Sequence, residues 1–153
     1  MATKIDTTGL ERKLRKLDLS LTDRKSRFLT GKFIVEMIKK RVRDEGKGVS
    51  RTGANTSKLK RVSDSWAINR QAFSRHPKAA TGFNSNLTFK GTMLDSMTVL
   101  RATKDQLFIG FKSRKESDKA QGNADRGRPF MFLSRGEITK TSDFIKKQIL
   151  KNN

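Results

Sequence analysis

Side chains able to do acid–base or metal chemistry are few and scattered. His76 is the one histidine, it precedes Pro77, and no histidine, aspartate or glutamate stands near it at a metal-ligand spacing. The 15 acidic residues are dispersed, so the paired carboxylates that would hold catalytic magnesium for a nuclease are missing from the pattern. With no cysteine, disulfides, thiolate zinc sites and cysteine nucleophiles are excluded together. Neither a GxxxxGK[ST] loop nor a GxGxxG fingerprint occurs. Enzyme function is therefore disfavoured, and no catalytic residue, metal ligand or cofactor is expected. Positive charge, by contrast, is abundant: 35 basic residues against 15 acidic ones give a net +20. Its chemistry is the binding of polyanions, which means nucleic acid, an acidic protein surface or an anionic membrane.

The densest block of that charge lies between Gly46 and Leu87, where Lys47, Arg51, Lys58, Lys60, Arg61, Arg70, Arg75 and Lys78 are opposed by Asp64 alone. Regular periodicity is lost here, and the segment is rich in Ser, Asn and Gly. Long loops without structure are uncommon inside compact domains beyond about 12–15 residues and are usually functional or disordered, so a long basic excursion ordered by neighbouring molecules is expected. Trp66, Ile68 and Phe73 are its large apolar residues, and a short helix around Ser65 to Phe73 can carry them as anchors. Trp66 reads first as a packing anchor, with stacking on a base as the alternative.

The elements that must hold this excursion flank it. On the amino-terminal side, Leu10, Leu14 and Leu17 share a face of a short helix. Thr22 can cap a longer helix running to about Glu45, with Asp23 in its first turn. Phe28, Gly31, Val35, Ile38 and Val42 recur at spacings of three and four, flanked by Ile34 and Met37, and mark the core face. Lys39, Lys40, Arg41 and Arg43 crowd the last turn, where the helix dipole favours cations, and Gly46-Lys47-Gly48 stops the helix.

On the carboxyl-terminal side lies nearly all the strand-like sequence. Met97, Val99 and Arg101 alternate with Thr98, Leu100 and Ala102, and after a short polar turn Leu107, Ile109 and Phe111 resume the alternation, which predicts a hairpin. Phe130 to Leu133 is a continuous apolar run behind Pro129 and predicts a third strand. Ser113 to Gly127, polar and of mixed sign, predicts a solvated loop. Ser134-Arg135-Gly136-Glu137 has capping-box spacing, and Ile138, Phe144, Ile145 and Ile149 mark the face of a terminal helix.

At 153 residues and 33% hydrophobic content, the expectation is a single α+β domain with a modest core. It comprises a helical part over 1–45, the excursion over 46–87, the hairpin and third strand over 88–134, and a helix over 135–151. The long helix and the terminal helix should pack a small antiparallel sheet. No apolar run approaches the roughly 20 residues of a membrane-spanning helix, and no apolar h-region follows Met1 to Asp6 as in a secretory signal, so neither a membrane partner nor secretion is expected.

This order of elements resembles the phage virion morphogenesis and tail-completion proteins of the head–tail neck. The likeness is carried by Gly91-Thr92-Met93-Leu94-Asp95-Ser96-Met97, by Leu107-Phe108-Ile109-Gly110, and above all by Arg128-Pro129-Phe130-Met131-Phe132-Leu133-Ser134. Gly91, Leu94, Ser96, Arg128, Pro129 and Phe130 are the motif positions. A Pro-x-Gly-x-x-Trp sequence common in that family is missing, since Arg51-Thr52-Gly53 lies far from Trp66 and lacks the proline. The resemblance implies a structural α+β protomer of the virion, assembled in the host cytoplasm into a ring, a hexamer or dodecamer, with portal-side connector and tail proteins as neighbours. It also implies that the basic residues of the excursion contact adjacent subunits, or genomic DNA in the lumen without reading its sequence. A sequence-independent nucleic-acid-binding protein is the alternative.

Overall fold

The computed structural model describes residues 24–50, 55–74, 76, 78–80, 84–88, 90–103 and 106–152. The helix expected around Leu10 to Leu17, the Thr22 cap with Asp23, and Arg51 and Arg75 lie outside these residues. Among the described residues the architecture is α+β, with five helices and two small antiparallel pairs of strands. In chain order the elements are α1 (Arg24–Glu45), β1 (Lys47–Gly48), β2 (Ser57–Lys58), α2 (Asp64–Phe73), α3 (Thr92–Ser96), β3 (Met97–Ala102), β4 (Leu107–Phe111), α4 (Arg114–Asp125) and α5 (Arg135–Asn152).

α1 buries Gly31, Ile34, Val35, Ile38 and Val42, the face its three-and-four spacing dictates. Each fully buried aliphatic side chain contributes about 1.5–3 kcal/mol. The face lies on the β3–β4 hairpin, and at Gly31 the approach is so close that a Cβ would sit 2.6 Å from Val99 Cγ2 and 2.9 Å from Leu107 Cδ1. Phe28 departs from the expectation. It is 40% exposed, one turn beyond the end of the packed stripe, with Lys32 Nζ 5.0 Å from its ring centroid. The helix ends at Gly46, whose φ of +61 lets its N–H reach Val42 O at 3.2 Å, a left-handed closure that glycine adopts at little cost.

The hairpin pairs Met97 with Phe111 and Val99 with Ile109, then slips so that Arg101 faces Phe108. This bulge corrects the simple alternation. Arg101 is not on the face of Met97 and Val99. Leu100 and Arg101 together oppose one residue, Ala102 takes the next buried position, and Arg101 stays exposed.

Phe130 to Leu133 does not form a third strand among the described residues. Its carbonyls are claimed elsewhere. Pro129 O accepts from Val49 N at 3.1 Å, and Phe130 O accepts from the Arg41 guanidinium. The segment works as a plug, with Phe130 1% exposed and edge-on to Phe111 at 6.4 Å. A run of apolar residues fits a core plug as well as a buried strand.

α5 opens with the expected capping box: Glu137 N donates to Ser134 Oγ at 3.3 Å and Ser134 N to Glu137 Oε2 at 2.8 Å. The same Glu137 carboxylate receives Arg41, making a buried ion pair that ties α1 to α5. Farther along α5 Ile145 is fully buried, and Phe144 stacks on Phe33 with centroids 4.4 Å apart. Arg41 is thus a core residue, whereas the sequence accounted for its place in a basic last turn by the helix dipole alone. Burial pulls its pKa below the ordinary arginine value, and the Glu137 charge opposes that pull.

Candidate functional site: a basic cleft between α2 and α4

The segment from 46 to 87 is more regular than its composition suggests. Its described anchors are Val49, Leu59, Val62 and Ala67, all buried, while β1 and β2 pair Lys47 with Lys58 and Gly48 with Ser57. Asn86 is buried and spends both ends of its amide on the chain: it donates to Arg43 O and Lys78 O and accepts from Ala80 N and Thr88 N. A buried amide satisfied on this scale fastens the second half of the excursion to the end of α1.

α2 forms where a short helix was expected, capped by Ser63 Oγ accepting from Trp66 N. Its orientation corrects the anchor assignment. Ala67 and Arg70 face inward, while Trp66 (45%), Ile68 (67%) and Phe73 (69%) are exposed.

The second correction is larger, because the Ser113 to Gly127 segment holds a helix, Arg114–Asp125. Ser113 Oγ accepts from Glu116 N at 3.4 Å, Lys119 bridges to Glu116 at 2.7 Å, and Ala120 enters the core. The helix stops in a Schellman arrangement. Gly127, at φ +77, donates to Ala124 O at 3.0 Å and Arg128 N donates to Asn123 O at 2.9 Å. Lys115, Lys119, Gly122 and Arg126 follow the spacing of one helical face.

Between α2 and α4 opens a cleft of about 1550 Å³, also lined by Ser85, Leu87, Thr88, Lys90, Gly91, Thr92 and Met93. Nine basic side chains line it: Lys60, Arg61, Arg70, Lys90, Arg114, Lys115, Lys119, Arg126 and Arg128, with Asp118 and Asp125 as the two carboxylates. Trp66 lies in its α2 wall. A Cβ at Gly122 would meet only the end of Arg126, at 3.9 Å, so the α4 wall is open at its middle. Arg128 joins the two sides, donating from Nε to Lys60 O and from a terminal nitrogen to Arg61 O, both at 3.0 Å. These acceptors are neutral carbonyls, which leave its charge uncompensated. Burial first, then the charge of Arg126, pulls the Arg128 pKa down, and burial does the same at Arg70. At these two side chains burial disfavours the charged form, and a neighbouring anion would oppose that effect.

The basic positions expected from sequence divide accordingly. Lys60, Arg61 and Arg70 line the cleft. Lys47 pairs with Glu45 and Lys78 with Asp44, each at 3.1 Å, and Lys58 is exposed on β2. Sequence reasoning missed the α4 half of the site, for which Ser113-x-x-Glu116, the same capping spacing as Ser134-x-x-Glu137, was the available signal.

The motif positions hold the joints around the cleft. Gly91, at φ +81, precedes α3 and packs against the His76 ring, where a Cβ would be 2.7 Å from Cδ2. Arg43 reaches both Gly91 O and Asp95, Leu94 is fully buried, and Ser96 Oγ donates to Met93 O at 2.8 Å. His76 Nδ1 accepts from Lys78 N at 3.1 Å. Among the described residues no group of acidic or histidine side chains could hold a metal ion, and no helix is long and apolar enough to cross a membrane. Comparisons with protein-family models, curated proteins and solved structures give no match to this chain.

Proposed function

We propose that this chain is a structural component of a phage head–tail junction, a neck or tail-completion protein that forms a ring between the portal-side connector and the tail around the DNA channel. The observation that carries the reading is the joint work of its motif residues. Gly91, Leu94 and Ser96 set the entry to the hairpin, and Arg128, Pro129 and Phe130 clamp the excursion and plug the core. The segments that resemble the neck proteins therefore hold joints of the fold. Exposed Ile68, Phe73 and Leu100 supply apolar surface of the kind that protein neighbours cover. Ring closure by heterologous contacts would bring such surfaces against different faces of the next protomer.

The test is mass in solution without nucleic acid, followed by reconstruction of a virion neck. A ring-sized assembly, or capture of connector proteins by the purified chain, supports the reading. A monomer that binds neither connectors nor tails overturns it. The basic cleft favours a second reading, sequence-independent nucleic-acid binding, for which salt-sensitive binding of nucleic acid by the isolated protein is the measurement.

A further inference from the structure

We propose that the α2–α4 cleft binds single-stranded nucleic acid, with phosphates along the Lys115–Lys119–Arg126 face of α4 and a base against Trp66 on the opposite wall. This inference rests on the second reading above and adds to it the site and the strand state.

Charge defines the ligand class. Among the described residues Lys115 and Arg126 pair with no carboxylate, yet they line one cleft together with Arg128, Lys60 and Arg61. Crowding like charges costs stability unless an anion fills the space between them. A second copy of the chain is a poor occupant. It is itself at +20, and Asp44, Asp95, Glu116 and Glu137 are already engaged by cations of their own protomer.

Shape narrows the class. About 1550 Å³ exceeds the 300–1,000 Å³ usual for small-molecule pockets, and the cationic face from Lys115 to Arg126 runs about 16 Å along α4 at 1.5 Å per residue. A polymer with repeated charge fits this better than a metabolite. A duplex is a stiff rod whose bases are stacked inside, so its edge can meet the rim but cannot present a base to Trp66. An acidic peptide could satisfy the cations but has no ring to stack on the indole. A single strand does both, as basic grooves with aromatic platforms do elsewhere. The ammonium and guanidinium groups available contact phosphate and carry no base code, so binding is indifferent to sequence.

Trp66 is the one tryptophan, which makes intrinsic fluorescence a direct reporter of the site. The probe is an oligothymidylate of roughly ten nucleotides, within the range of known single-strand sites. Expected are quenching of Trp66 emission and an affinity that falls with salt, with a logarithmic slope of about −0.7 per phosphate engaged. Lys115→Gln with Arg126→Gln should weaken binding about tenfold and remove about 1.4 from that slope. Lys40→Gln with Lys147→Gln makes the same change in net charge outside the cleft and should cost at most about twofold, since distant exposed charges are screened. Trp66→Leu, followed by anisotropy of a labelled oligonucleotide, should weaken binding roughly fivefold or more. Equal losses in the two double variants would assign binding to net charge and overturn the site. A duplex of the same length binding as tightly would overturn the strand state. Oligoglutamate binding where neither nucleic acid binds would overturn the nucleic-acid reading along with the inference. The ring reading is scored separately, from the mass of the same samples.

Discussion

Arg41 and Arg126 carry the same guanidinium in two opposite settings. Arg41 is 3% exposed, bonded to Glu137 and to Phe130 O, and joins α1, α5 and the plug segment. Arg126 is exposed at the end of α4, in a cleft where nine cations meet two carboxylates. One region closes a seam with opposite charges, and the other gathers nine cations, of which Lys115 and Arg126 meet no carboxylate among the described residues. A folding requirement explains the first arrangement. Folding engages Arg128, which holds the carbonyls of Lys60 and Arg61, but supplies no carboxylate to Lys115 or Arg126, and this contrast is why the proposed ligand is placed in the cleft rather than at the seam.

The sharpest way to break the comparison is at the seam. Glu137→Ala leaves a buried guanidinium without its carboxylate and removes one half of the α5 capping box, so chemical denaturation should show a loss of about 3–5 kcal/mol. A loss below 1 kcal/mol, on the order of a surface pair, would mean that Arg41 is solvated and the two settings are alike. Gly31→Leu probes the same framework one layer away. Its Cβ would press on Val99 and Leu107, so overpacking of about 1–3 kcal/mol should exceed the roughly 1 kcal/mol gained by replacing a helical glycine. A more stable variant would show that α1 stands farther from the hairpin.

The framework was legible because its signals are local or periodic. The α1 stripe, the hairpin alternation and Ser134-x-x-Glu137 each announce one element, and each element forms. What escaped depends on partners distant in sequence. Arg41 looked like a dipole-complementing cation because Glu137 is 96 residues away. Phe130 to Leu133 looked like a strand because a sequence does not show that Arg41 and Val49 take the carbonyls of Phe130 and Pro129. The cleft was half visible. Its α2 side stood out as charge, whereas α4 was masked by Gly122, Asn123 and several short polar residues of weak helix propensity, despite the Ser113 cap. Trp66 was weighed as an anchor because size suggests burial, yet on α2 the small Ala67 took the inward place.

The smallest expected effect sharpens the comparison from the other side. If the cleft cations serve a ligand and not the fold, Lys115→Gln with Arg126→Gln should change the unfolding free energy by no more than about 0.5 kcal/mol, the usual range for surface substitutions away from a packed or bonded feature. The sign should lean toward stabilisation. Each substitution removes a cation that has no carboxylate partner among the described residues and shares the cleft lining with other cations, and relief of like-charge repulsion favours the folded chain. The gain should shrink as salt is added, because these charges are exposed and screened, and it should vanish above the ionic strength at which oligothymidylate no longer binds. A loss of more than 1 kcal/mol would show that Lys115 and Arg126 support α4 as Arg41 supports the seam. Cleft and seam would then share one structural rule.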